Sequence, residues 1–222
     1  MTDNSGVDDN PPPITAEHLI YAYCRGIFPM AEHRGSDELF WVDPRHRGIL
    51  PLQNIHISSS LARKMRKSNY SVHMNSCFMD VIDACANRED TWISAEIKSL
   101  FATLNAMGMA HSLEIKQNHL LIGGIYGLAI GGCFFGESMF SRKSDGSKLA
   151  LVHLCDHLAQ CGFTLFDTQF ITDHLASMGA IEVTRAQFRK RLDHALTQKT
   201  NSVITQPLAT SHEVLQRNGH KS

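Results

Sequence analysis

The chain carries almost no net charge: 21 Lys and Arg stand against 22 Asp and Glu, leaving −1 at pH 7. No global field therefore marks it as a nucleic-acid binder, and any such surface must be a local patch. Paired cysteines are missing too. Its six cysteines form no C-x-x-C and lie within apolar segments, so buried free thiols in a reducing compartment are expected rather than disulfides. There is no Walker A loop, no G-x-G-x-x-G opening a helix, and no G-x-S-x-G elbow. Those absences argue against a nucleotide cradle and a serine hydrolase. The first residues, MTDNSGVDDNPPP, lack the basic and apolar regions of a signal peptide. Residues 1–13 are expected to be a disordered tail, and the protein to be soluble and cytoplasmic. No internal repeat or low-complexity tract is present.

What the sequence does hold is one uncharged run, Leu120–Gly136, followed by a single carboxylate at Glu137. It falls just short of the roughly 18 apolar residues that a membrane span needs, and glycines interrupt it. Gly131-Gly132 lies between two β-rich halves, which predicts two buried antiparallel strands, Leu120–Ile130 and Cys133–Phe140, joined by a tight turn. Buried strand glycines also mark places where something approaches the backbone closely.

Around this hairpin the pattern predicts further elements. Thr15 caps a helix that Gly26 stops, and Phe40–Val42 is a short strand. The helix over SSLARKMRKS puts Arg63, Arg66 and Lys67 on one face. Ser94 caps a helix ending at Gly108, and Ser147 a helix ending at Gly162. Phe163–Phe166 is a buried strand ending at Asp167-Thr168-Gln169, and Thr184 caps a last helix. Residues 14–53 are expected to form a small N-terminal domain, 54–199 the main domain, and 200–222 a flexible tail. The order of elements predicts an α+β fold, a mixed sheet flanked by helices.

Three features invite chemistry. His153 and His157 share a helix face, but Cys155 points away and no third ligand is suitably spaced, so no metal is expected. The loop Arg142–Ser147, RKSDGS, is anion-friendly ahead of a helix N-terminus, though weak as a signal alone. More telling are Asp167 and Glu137, carboxylates at the ends of apolar strands with no basic neighbour in sequence. Such groups are costly unless they are bonded or used.

Taken in order, many short segments resemble the bacterial leucyl/phenylalanyl-tRNA–protein transferases. They are Arg25–Pro29, Asp43-Pro44-Arg45, His56-Ile57-Ser58, Thr91-Trp92-Ile93, Ala110–Glu114 and Gly123–Gly127. GESMF (136–140) with Ser141 and Ser147-Lys148, Asp167-x-Gln169 and His174–Ala180 complete the series. The resemblance implies a small N-terminal domain joined to a GCN5-related N-acyltransferase-like domain. It also implies an activity: a leucyl or phenylalanyl group passes from its tRNA to the α-amine of a protein beginning with Arg or Lys, marking that protein for degradation. No cofactor or metal is implied, because the tRNA ester is already activated, and a monomer with no membrane partner is expected.

By the same resemblance, Asp167 and Gln169 are the catalytic pair, acting by positioning and electrostatics or as a proton relay. Glu137, Ser138, Trp92 and Met30 meet the aminoacyl-adenosine, with Met30 standing where an aromatic is common. Ile125, Phe134, Leu151, Leu154, Leu158 and Phe166 line the pocket for the amino-acid side chain. A methylene there is worth only about 1–3 kcal/mol, so methionyl groups are expected to leak in. Arg63, Arg66 and Lys67 match the cluster that meets the tRNA backbone. Thr172, Lys116 and Phe101 depart from the family's usual asparagine, tryptophan and tyrosine. The rival reading is an acyl-CoA-dependent N-acyltransferase, disfavoured because RKSDGS lacks the second glycine of a pyrophosphate loop; a non-catalytic tRNA- or degron-binding protein is the other.

Overall fold

A computed structural model describes residues 14–36, 38–53, 55–88 and 91–219. The tail expected at residues 1–13 lies outside them. Helix α1 (Ala16–Tyr23) starts at Thr15, whose hydroxyl accepts from the His18 N–H in a capping box. It leads into a two-stranded antiparallel ribbon, β1 (Phe28–Ala31) and β2 (Leu39–Val42). Then come β3 (His46–Ile49), α2 (Ser59–Lys67), β4 (Ser71–Met74), α3 (Phe78–Ala86), α4 (Ala95–Ala106) and β5 (Ala110–Gln117). The second half holds β6 (Leu120–Ile130), β7 (Cys133–Ser141), α5 (Gly146–Cys161), β8 (Leu165–Gln169), α6 (Asp173–Ser177), β9 (Ile181–Thr184), α7 (Arg185–Leu196) and α8 (Ser211–Gly219).

Seven strands form one sheet in the order β4-β5-β6-β7-β8-β3-β9. Only β7 and β8 run parallel among the described pairs, and α5 makes the crossover between them. This is the α+β arrangement expected, a mixed sheet flanked by helices with a small N-terminal piece. Yet β3, inside the segment expected to belong to that piece, is hydrogen-bonded between β8 and β9 of the main sheet. Its sequence, His-Arg-Gly-Ile, has little β propensity, and burial of Ile49 and Leu50 holds it there.

The sheet separates two apolar clusters. One gathers α1, α3, α4 and α7 over residues such as Phe135, Tyr126 and Phe140; the other gathers α2, α5 and α8 over Ile125, Phe134 and Leu113. The hairpin turn falls at Gly131-Gly132, with Ile130 opposite Cys133 and Gly131 at φ 54. A Cβ on Gly123 would come within 2.4 Å of the Gly146 backbone, so this glycine lets α5 begin directly against β6.

Two expectations change. Asp145 rather than Ser147 is the cap of α5, and Ser147 sits in the first turn with its N–H bonded to Ser141 Oγ at 2.7 Å. Residues 200–219 are not loose either. Helix α8 buries Val214 and is tied to α5 by a two-pronged Arg217–Asp156 pair at 2.7 Å. Its apolar positions are too few to announce a packed helix, and its fixing partner lies 61 residues away.

Candidate functional site

The site is built at the parallel junction of β7 and β8, where α1 packs across the sheet. Register along β7 is shifted there: Tyr126 faces Ser138 and Gly127 faces Gly136, which leaves Glu137 as an extra residue. Such a bulge re-aims the chain. Phe135 and Phe140, five positions apart, both enter the first cluster, a parity that strict alternation forbids. Glu137 is turned toward Tyr23, on α1, and Gln169, at the end of β8.

Its Oε1 accepts two hydrogen bonds, from the Tyr23 hydroxyl at 2.8 Å and from Gln169 Nε2 at 3.0 Å. Its Oε2 is buried with no partner among the described residues, as is the nearby Tyr126 hydroxyl. Burial pushes the Glu137 carboxyl up to about 8, although its two donors pull the other way. Burial, and then the Glu137 charge, raise the Tyr23 phenol well above its ordinary value.

Asp167 is treated in the opposite manner. It is fully buried, and Arg47, also buried, holds it with a fork: Nε donates to Oδ1 at 2.8 Å and Nη2 to Oδ2 at 2.7 Å. The remaining Arg47 amino group, Nη1, donates to the Gly26 carbonyl at 2.9 Å. The rings of Phe28 and Phe188 each lie 4.5 Å from the guanidinium carbon. Asp167 Oδ1 also accepts the backbone N–H of Gln169 at 2.9 Å. Gln169 has φ 62, an uncommon left-handed conformation for this residue that costs about 1–3 kcal/mol and persists only where its surroundings impose it.

The structure therefore brings Asp167, Gln169 and Glu137 together and adds Tyr23 and Arg47, neither of which sequence reasoning found. One clue existed for Arg47: a charge set just ahead of the apolar Ile49-Leu50. Ser138 lies beside Glu137, half-buried. Met30 and Trp92 are half-buried against the first cluster. Ile125, Phe134, Leu151, Leu154, Leu158 and Phe166 come together, but as close-packed members of the second cluster, with Phe134 and Phe166 edge-to-face at 5.2 Å. Arg63, Arg66 and Lys67 are exposed on α2 while Leu61 and Met65 face inward, and none of the three cations is paired with a carboxylate among the described residues.

The other candidates find different partners. His153 bonds the Tyr70 hydroxyl and His157 the Val203 carbonyl. No group of three or more metal-ligating side chains occurs among the described residues. At RKSDGS the helix start is already occupied: Gly146 N–H bonds the Lys143 carbonyl, Ser147 N–H bonds Ser141, and Lys64 pairs with Asp145 at 3.3 Å. No described helix is long and apolar enough to cross a membrane.

Comparison with known proteins places this geometry. The family model for leucyl/phenylalanyl-tRNA protein transferase matches residues 49–193, and that for the N-terminal domain of the same proteins matches residues 13–45. The leucyl/phenylalanyl-tRNA–protein transferase of Dinoroseobacter shibae is 51% identical over 193 residues, covering 87% of this chain and 86% of that one. Its counterpart from Ruegeria pomeroyi is 54% identical over 180 residues, 81% of this chain and 86% of the relative. That of Cereibacter sphaeroides strain KD131 is 50% identical over 212 residues, 96% and 99%. This chain belongs to the leucyl/phenylalanyl-tRNA–protein transferase family. Among solved structures, that of L-PGS from Bacillus licheniformis aligns over 68% of this chain and 51% of that one at a TM-score of 0.38 and 15% identity, too slight a likeness to build on.

The Glu137 carboxyl has a measurable consequence. Unfolded, it ionises near 4.5; folded, near 8. Between those values the native state holds a proton that the unfolded chain has released, so this group lowers stability as pH rises from about 4.5 to about 8. His111 and His153, pushed down to about 4 by burial, act oppositely, but their effect is complete above about 6.5. From pH 6.5 to 8, thermal melting of the wild type should therefore fall relative to Glu137→Gln. Parallel curves over that interval would contradict the assignment.

Proposed function

We propose that this chain transfers a leucyl or phenylalanyl group from its tRNA to the α-amine of a protein whose first residue is Arg or Lys. The observation that carries the reading is a coincidence of two independent things. The family models match residues 13–45 and 49–193, and the residues that the resemblance named, Glu137, Asp167 and Gln169, form one buried hydrogen-bonded group.

The reaction is aminolysis of an ester. The amine nitrogen attacks the carbonyl carbon, the bond to the ribose oxygen breaks, and the proton that the amine gives up is matched by one taken up by the ribose oxygen, which leaves as a hydroxyl. Holding amine and ester in register is the larger part of such a task. Asp167 already has both oxygens committed to Arg47 and to the Gln169 N–H, so its role is to fix Gln169 rather than to take the proton. Gln169 spends its amide N–H on Glu137, which leaves its carbonyl oxygen for a donor from the substrate. Glu137 offers Oε2 to the amine or the terminal adenosine. A carboxyl near 8 is matched to an α-amine, which ionises at about 7.7–8.0, so proton exchange between them is cheap.

Trp92 and Met30 flank the adenosine in this reading. The six-residue apolar cluster receives the leucyl or phenylalanyl side chain, with Phe166 yielding to it. Arg63, Arg66 and Lys67 meet tRNA phosphates, a contact that is salt-sensitive and indifferent to sequence. The product would be marked for degradation, and the work belongs in the cytoplasm, where charged tRNA is found. The occupied helix start at RKSDGS speaks against the CoA-dependent alternative, since a pyrophosphate would have to displace bonds already made there.

The direct test offers Leu-, Phe- and Met-tRNA, and separately acetyl-CoA, with peptides starting in Arg, Lys, Glu or Asp. Leucyl and phenylalanyl transfer to the Arg and Lys peptides is expected, with weaker methionyl transfer. Acetyl transfer without aminoacyl transfer would overturn the reading. For the α2 surface, Arg66→Glu should weaken tRNA binding and lower the slope of log affinity against log salt by about 1. An unchanged slope would remove α2 from the tRNA site.

A further inference from the structure

We propose that Arg47 is the positioning residue of the site, a single guanidinium that sets both donors on the Glu137 carboxylate. The role rests on the aminoacyl-transfer reading above, and adds to it a residue that touches neither substrate nor reacting atoms.

Two arms run from Arg47 to Glu137. On the first, the fork on Asp167 fixes the plane of that carboxylate, and its Oδ1, 2.8 Å from Arg47 Nε, also accepts the Gln169 N–H at 2.9 Å. That bond holds Gln169 at φ 62, and from this backbone its Nε2 reaches Glu137 Oε1 at 3.0 Å. On the second arm, Nη1 holds the Gly26 carbonyl at 2.9 Å. The Gly26 N–H in turn donates to the carbonyl of Tyr23 at 2.9 Å, closing the end of α1 from which the Tyr23 hydroxyl reaches the same Oε1 at 2.8 Å. Between the arms, Phe28 and Phe188 clamp the guanidinium from 4.5 Å. A planar fork serves two carboxylate oxygens and a carbonyl at once; an ammonium does not. The geometry thus ties the N-terminal helix, β3 and β8 to one reference point, and leaves Glu137 Oε2 as the free position.

An ion pair that only stabilised the fold would lower the melting temperature when broken and leave the chemistry of the folded fraction alone. The test therefore measures kcat and KM for transfer from Phe-tRNA to an Arg-initiated peptide, between pH 6 and 9, at a temperature where melting curves show each variant folded. For Arg47→Met, kcat should fall about 100-fold, the scale of a misplaced reacting group, while KM for the aminoacyl-tRNA changes less than about threefold. Its rate should also drop further toward low pH than the wild type's, because a buried carboxylate stripped of its cation takes up a proton more readily. Arg47→Lys should recover part of kcat. The double variant Arg47→Met with Asp167→Asn keeps an acceptor oxygen for Gln169 without the charge, and should lose that additional drop. If Arg47→Met does not fold, Arg47→Lys and the uncharged double variant carry the test.

A folded Arg47→Met with wild-type kcat, or with its loss confined to KM, would overturn the positioning role, as would a pH profile unchanged in shape. A wild type that transfers nothing would instead overturn the functional reading, and the positioning role with it. An active wild type with unaltered variants would overturn the role alone.

Discussion

Everything in this site depends on a charge buried where water cannot reach it. Asp167 lies in the middle of β8, beside core Phe166, and an isolated carboxylate there would be untenable. Arg47 makes it tenable from 120 positions away in the chain. Replacing such a pair by apolar residues is often neutral or stabilising, while removing one partner costs about 3–5 kcal/mol. The pair is thus a poor source of stability, and a strong constraint on arrangement. To satisfy it, β3 must leave the N-terminal piece and enter the main sheet, and Gly26 must sit where its carbonyl meets the third guanidinium group.

The two carboxylates of the site illustrate how environment divides labour between like groups. Asp167 has its oxygens filled by donors and a full counter-charge. Glu137 has two neutral donors on one oxygen, none among the described residues on the other, and burial that drives its protonation toward the pH at which an amine is also half-protonated. The bulge in β7 separates the roles. Without the extra residue, regular alternation could not place both Phe135 and Phe140 in the same core while turning Glu137 toward α1. One group is fixed so that the other can respond.

Much of this frame was legible in the chain, and for identifiable reasons. The Leu120–Ile130 and Cys133–Ser141 hairpin announced itself by apolar runs around Gly131-Gly132, and the helix caps at Thr15, Ser94 and Thr184 by residue types whose side chains bond the first turn. Asp167 and Glu137 stood out because charges are scarce at the ends of buried strands. What stayed hidden was non-local. Strand β3 has no β-rich composition, so only its neighbours on both sides define it. The pairing of Arg47 with Asp167, and the reach of Tyr23 to Glu137 across 114 positions, follow from topology and leave no periodic trace. Helix α8 likewise depends on Arg217 finding Asp156. The six apolar residues all lie in the second cluster as packed core, because the composition of an apolar pocket wall is the same as that of a core.

The central claim is that the unpartnered oxygen of Glu137 is the place where the substrate's polar end is received. It is met most directly by a crystal structure with a non-hydrolysable amide of phenylalanyl-adenosine. The account predicts a donor of that compound within hydrogen-bond distance of Glu137 Oε2, its ring displacing Phe166 from Phe134, and the Arg47–Asp167–Gln169 arrangement unchanged. A compound bound elsewhere, with Glu137 Oε2 still unpartnered and the apolar cluster still closed, would contradict it.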